Sequence, residues 1–177
     1  TIVLDASGTA TISQAFTATT TYSLTSAASA GTPSCAQPLS QQIVVTVLPL
    51  PVVSISSNQT ICAGQEATVN FTGTPNTTVT FTVNGQAQTI VLNASGTASF
   101  TSTFDATTVI SLVSASTPTT PACTNPQSGS VTITVIPPPT ASISSSQTIC
   151  SGQQATVTFA GTPGAVVTYS VNSGPAQ

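Results

Sequence analysis

Four thiols, Cys35, Cys62, Cys123 and Cys150, and three carboxylates, Asp5, Glu66 and Asp105, are the only cysteine and acidic side chains in this sequence, which has no His, Lys or Arg. Their chemistry would be a redox pair, a metal centre or general acid–base work. Acid–base catalysis needs a carboxylate held in a defined place. Asp5-Ala6-Ser7-Gly8 comes near an aspartic-protease triplet, but its spacing is wrong and it reads as a turn. Zinc would want close Cys or His pairs, and calcium six to eight oxygens, several from carboxylates. Neither pattern is present, so the sequence calls for no catalytic residue, metal or cofactor. The thiols, two at matching places in each half, suit a disulfide framework in an oxidising compartment.

That matching comes from an internal duplication. Shifting the sequence by 88 positions pairs Cys35 with Cys123 and Cys62 with Cys150, and more than half of the aligned residues are identical. Residues 59–85 return at 147–174. The acids do not repeat: Asp5 aligns with Asn93, Glu66 with Gln154 and Asp105 with Thr17. A carboxylate with a duty in each repeat would not be replaced in its own duplicate, so the acids read as solvated turn residues.

The elements that position these groups are strands. About a third of the residues are Ser or Thr, and the apolar set is mainly Val, Ile, Ala and a few Phe, which suits half-buried pleated strands. Alternation predicts strands at 1–4, 9–16, 20–26 and 43–48, and in the second copy at 89–92, 97–104, 108–114 and 130–136. Between them lie strands at 52–57, 67–72, 77–83 and 86–92, with Val69, Phe71, Val79, Phe81 and Val83 inward. Asn84-Gly85 marks a hairpin. Pro49-Leu50-Pro51 and Pro137-Pro138-Pro139 sit at equivalent positions and read as stiff linkers, because proline fixes φ and cannot donate to a ladder. About seven short antiparallel strands between linkers predict an all-β fold of tandem β-sandwiches. The boundaries follow: 1–49 is the C-terminal half of one repeat, 50–137 a complete repeat, and 138–177 the N-terminal half of the next. A half-sandwich leaves an apolar face and an open edge. The chain is therefore expected to be a window on a longer array or a unit whose copies complete one another. Within the complete repeat the expected disulfide is Cys62–Cys123, with Cys35–Cys62 as the alternative. Cys35 and Cys150 would pair in flanking half-repeats or with each other between copies.

Composition removes several functions. Nucleic-acid binding rests on cations that displace phosphate counterions, and this chain has no cationic side chain. No apolar run approaches the roughly 20 residues of a membrane-spanning helix. Mean hydropathy is positive with almost no charge, unlike a disordered chain. Asn58, Asn70, Asn76 and Asn93 stand in N-x-[ST] sequons, none of which recurs in the other repeat. Rows of outward threonines, Thr78, Thr80 and Thr82, and Thr132 and Thr134, could serve as an ice-binding or glycan-binding face. They are also the default outward residues of a charge-poor sheet. A glycan site would normally show exposed aromatics, whereas Tyr22 and Tyr169 both fall at inward positions and there is no Trp.

The repeated T-I-C-[AS]-G-Q-x-A-T-V-x-F-x-G-T-P, then T-[FY]-[TS]-V-N, TIVLNASGTA and a Cys before the last strand resemble the Ig-like tandem repeats of large Bacteroidota cell-surface proteins. These are gliding-type adhesins exported by type 9 secretion. The resemblance implies an Ig-like β-sandwich at the cell surface with stalk or adhesin duty. The expected function is a non-catalytic extracellular repeat of a stalk or filament, with neighbouring copies as partners. The alternative is a glycan-binding adhesin module.

Overall fold

The computed structural model describes residues 1–57, 59–145 and 147–172; the sequon at Asn58 and the last two residues of the 147–174 repeat lie outside the described residues. No helix occurs among the described residues, and the fold is all-β. In chain order the strands are β1 (Thr20–Ser23), β2 (Ser26–Ala28), β3 (Ala36–Pro38), β4 (Gln42–Val45), β5 (Val53–Ser56), β6 (Thr60–Cys62), β7 (Gln65–Gly73), β8 (Thr78–Val83), β9 (Gln86–Val91), β10 (Thr97–Phe104), β11 (Thr108–Ser116), β12 (Thr124–Pro126), β13 (Ser130–Ile136), β14 (Ala141–Ser144) and β15 (Thr158–Gly161).

Residues 50–137 carry two sheets around one core. One sheet runs β10-β7-β5 and the other β6-β13-β11-β8-β9, with β12 added beside β11. Period-two alternation turns Ala67, Val69 and Phe71 of β7 and Val79 and Phe81 of β8 inward, where Leu92, Ile110 and Ile133 join them, all buried. Phe81 is the hub. Its ring lies 5.0 Å from that of Phe71 and 5.4 Å from that of Phe100, tilted and edge-on rather than stacked. The Asn84-Gly85 hairpin joins β8 to β9 with both residues at positive φ, the geometry that matches strand twist.

Seven strands were expected in this unit and nine are present. The additional two are three-residue strands, β6 and β12, in stretches where alternation predicts no strand. Neither is long enough to show a period. β6 also departs from the antiparallel expectation, since it runs parallel to β13, pairing Thr60 with Thr134 and Cys62 with Ile136.

The chain enters and leaves this sandwich at opposite ends. Pro51 is buried at the entrance, its carbonyl accepting from Asn125 Nδ2 at 2.9 Å and Gln127 Nε2 at 3.2 Å, while Val53 N donates to Gln127 Oε1 at 3.0 Å. Asn125 pairs with Ala115, near the end of β11. At the exit, Ile133 of β13 lies opposite Thr108, the first residue of β11, and the strand runs on to Ile136. Nine residues of β11 at about 3.3 Å each separate the two ends by about 30 Å.

The flanking segments hold smaller sheets. In 1–49, β1 pairs β4 and β2 pairs β3; in 138–172, β14 pairs β15. Their registers are those of 50–137 shifted by one repeat. Thr20↔Val45 copies Thr108↔Ile133, Ser26↔Pro38 copies Ser114↔Pro126, and Ala141↔Gly161 copies Val53↔Gly73. The strands expected at 1–4 and 9–16 are not formed.

Candidate functional site

Asp5 is a turn residue and Asp105 lies in the bend after β10, whereas Glu66, read as a turn acid, lies within β7 opposite Thr103 of β10. Asp5 Oδ1 accepts from Ser7 N at 2.9 Å, Thr9 N at 3.0 Å and Ser7 Oγ at 2.6 Å. Asn93 Oδ1 makes the same turn, accepting from Ser95 N at 2.9 Å and Thr97 N at 3.0 Å. A neutral amide therefore does the same work, which is to satisfy turn amides. The Ser7 hydroxyl, followed by the amides and hydroxyl around it, holds the Asp5 carboxyl at about 2, below its ordinary 3.8. A depressed carboxylate stabilises its fold above the unfolded value and loses that contribution as pH falls through the folded one. The turn at Asp5 is expected to hold above about pH 4 and loosen toward pH 2. A side-chain carbon NMR titration should give a midpoint near 2, and Asp5→Asn should abolish the transition while keeping the turn. A midpoint near the ordinary value would show that these bonds do not form.

The expected Cys62–Cys123 disulfide is not present; all four cysteines are free, so the alternative Cys35–Cys62 is not formed either. The reason is the sheet's topology. Cys62 ends β6 beside Ile136 at the exit end. Cys123 sits before β12 at the entrance end, its carbonyl accepting from Thr117 N. The length of β11 lies between them, whereas a disulfide needs Cα atoms within about 7 Å. No cluster of His, Cys, Asp or Glu suited to a metal occurs among the described residues, and no helix there is long and apolar enough to cross a membrane.

The other surface features are neutral. Thr78, Thr80 and Thr82 do line the outer side of β8, with Val79 and Phe81 inward. Asn70 Oδ1 accepts from Ser99 Oγ at 2.8 Å, and Asn93 Nδ2 donates to Thr97 Oγ1 at 2.9 Å, so these two sequon side chains are engaged within the sheet and the turn. A depression of about 510 Å³ between β6 and β13 is lined by Ser57, Gln59, Thr60, Ser130, Val131, Thr132 and Thr134, with hydroxyls and an amide but no titratable group. Such a lining can bond neutral polar atoms and cannot move a proton.

Apolar side chains are exposed on both flanking segments. Val157 is 50 % exposed where its counterpart Val69 is 0 %, and Leu24 is 52 % exposed where Leu112 is 7 %. Tyr169 and Phe159 touch each other at 5.2 Å, yet both are more than a third exposed, while their counterparts Phe81 and Phe71 are buried. Tyr22 is half-buried, edge-on to Phe16 and bonded by Gln14 Nε2 at 2.7 Å. The inward positions predicted for Tyr22 and Tyr169 are thus less covered, among the described residues, than those of their counterparts Ile110 and Phe81, which are buried. The entrance clasp, Asn125 and Gln127, was not foreseen: both lie in a stretch with no periodicity, and their counterparts Gln37 and Leu39 do not preserve the pair.

The chain matches no protein-family model, and no curated protein matches it.

Proposed function

We propose that this chain is a non-catalytic structural segment of an extracellular bacterial stalk or filament built from repeated β-sandwiches. One observation carries the reading: the sandwich at 50–137 takes the chain in at one end and releases it at the other, about 30 Å away, through proline-rich links. Units joined in this way add length with each repeat. Mechanism here is mechanical. Pro51 is buried and clasped by two amides, so the link is stiff where it meets the sheet.

Composition supports the setting. A surface whose polar groups are nearly all hydroxyls and amides has little to gain or lose with salt, and trypsin, which cuts after Lys or Arg, has no site. The resemblance to surface repeats supports the location outside the cell. Asp5 serves a turn, and none of the three acids keeps a carboxylate counterpart in the other repeat, which supports a role without catalysis. Electron microscopy of the native surface material tests the proposal: threads beaded at one sandwich per 88 residues are expected, and compact particles with no axial repeat would refute it.

A further inference from the structure

Gln-Thr-Ile-Cys, the start of the repeated motif, stands at 59–62 and again at 147–150, and in the central sandwich it marks where the chain changes sheets. Among the described residues, β5 pairs with β7 no farther than Ser56↔Asn70, and β6 then pairs with β13 of the other sheet from Thr60 to Cys62. Beyond the end of β5, two side chains serve β7 at Thr68. Its N–H donates to Gln59 Oε1, and its carbonyl accepts from Ser57 Oγ at 3.1 Å. The Gln59 backbone carbonyl meanwhile accepts from Thr134 N of β13 at 3.2 Å. Gln59 therefore stitches one sheet to the other. Gln147 Oε1 accepts from Thr156 N at 2.7 Å, so the side-chain half of the stitch recurs one repeat on.

The direction of these strands decides how they meet a pull. β5 starts beside the clasped Pro51 at the entrance, and β13 ends at the exit with β6 parallel beside it. Tension along the axis draws β5 and β6 back toward the entrance and β13 out through the exit. The members of the β6–β13 pair are thus drawn past each other lengthwise. Thr134 N on Gln59 O and Ala63 N on Ile136 O, the latter at 3.0 Å, bracket the pair, and in shear its bonds are strained together rather than one after another. β5 is drawn along β7 in the same way over four paired residues. β9 and β10, the edge strands on the other side of the sandwich, lie off this route.

We infer that the β6–β13 pair, stitched to β7 by Gln59, is a clamp that keeps the sandwich closed when the chain is pulled end to end. The inference rests on the stalk reading above and supplies the element that lets such a unit keep its length under tension. Resistance to a pull is set by the rate of unfolding rather than by total stability, so it depends on the bonds that the pull strains first. Packing far from β6 and β13 adds to equilibrium stability and little to that resistance.

Constant-force optical-trap measurements on the full chain, tethered at its two ends, test the clamp beside urea unfolding of the same variants. Opening of the central sandwich is recognised by the length released, about 270 Å when roughly 90 residues extend from a folded span of about 30 Å. Gln59→Ala removes the acceptor of Thr68 N from an exposed position. Ile90→Ala trims a half-buried residue of β9 that packs on the core at the edge of the sheet opposite β6, and the milder Ile90→Val repeats the comparison. Ile90→Ala should lower the urea midpoint at least as much as Gln59→Ala does. Under load the order should reverse. Gln59→Ala should shorten the folded lifetime at a given force about fivefold, the worth of about one bond, and the Ile90 variants by under about twofold. Lifetimes that follow the urea ranking, or a Gln59→Ala lifetime equal to that of wild type, would overturn the clamp. Neither result touches the beaded-thread test, which reads the native material, and compact native particles would leave the single-chain lifetimes as they are.

Discussion

Phe81→Ala is expected to cost the central sandwich about 3–5 kcal/mol, the range for emptying a large aromatic site in a packed core. Domains of this size hold only about 5–15 kcal/mol in all, so the variant should be close to unfolding at room temperature. Phe81 is the residue through which the two sheets meet: it pairs with Leu112 and Gln88 within its own sheet, and its ring touches Phe71 and Phe100 of the other. Small neighbours do not refill the space, since Val69, Val79 and Ile110 are already fixed by their strands. Urea unfolding followed by tyrosine-independent far-UV signal gives the measurement, with the midpoint falling and the slope unchanged. The chain contains its own control. Tyr169 is the counterpart of Phe81 on an uncovered face, and in dilute monomer Tyr169→Ala should leave the central transition where it was. A loss below about 1 kcal/mol for Phe81→Ala would mean the core is not centred on this ring.

The contrast between Phe81 and Tyr169 also shows what the sequence could convey. Both sit in the same motif with the same alternation, so the pattern places both inward, and it does so correctly as far as the strand is concerned. Burial, however, depends on whether the facing sheet is present, as Phe71 and Phe100 are for Phe81, and alternation within one strand does not report that. For the same reason 9–16 alternates as well as 97–104 does but forms no strand: alternation describes a face, while a strand also needs a neighbour's carbonyls and amides. Hairpin and linker chemistry were legible because they are local; Asn84-Gly85 and the prolines act on their own φ angles. Disulfide pairing was not legible. Cys62 and Cys123 each precede a strand, yet β6 runs parallel to β13 and so carries its thiol to the end opposite Cys123. Three residues cannot announce their direction. Of the candidate site, the turn role of Asp5 was readable from its exchange with Asn93, while the clasp of Asn125 and Gln127 on Pro51 depends on a contact 74 residues apart.

Gly96→Ala is expected to destabilise the central sandwich by about 3 kcal/mol, from two separable causes. The residue sits at φ +75°, where an alanine costs about 1 kcal/mol or more because Cβ crowds its own backbone. A Cβ there would also collide with the Gly73 carbonyl, and the same approach carries the bond from Gly73 N to Gly96 O at 2.8 Å. Relieving the collision pulls β7 and the turn apart and sacrifices that bond, about 1 kcal/mol more, along with some of the packing beneath it. Gly8 separates the two causes within the same molecule. It has the same turn and nearly the same φ, +78°, but open space where Gly96 has a neighbour. In monomeric chains Gly8→Ala should strain only its own exposed turn and leave the central unfolding midpoint unchanged. A shift of the central midpoint by Gly8→Ala as large as that by Gly96→Ala would show that the loss does not arise at the Gly73 carbonyl.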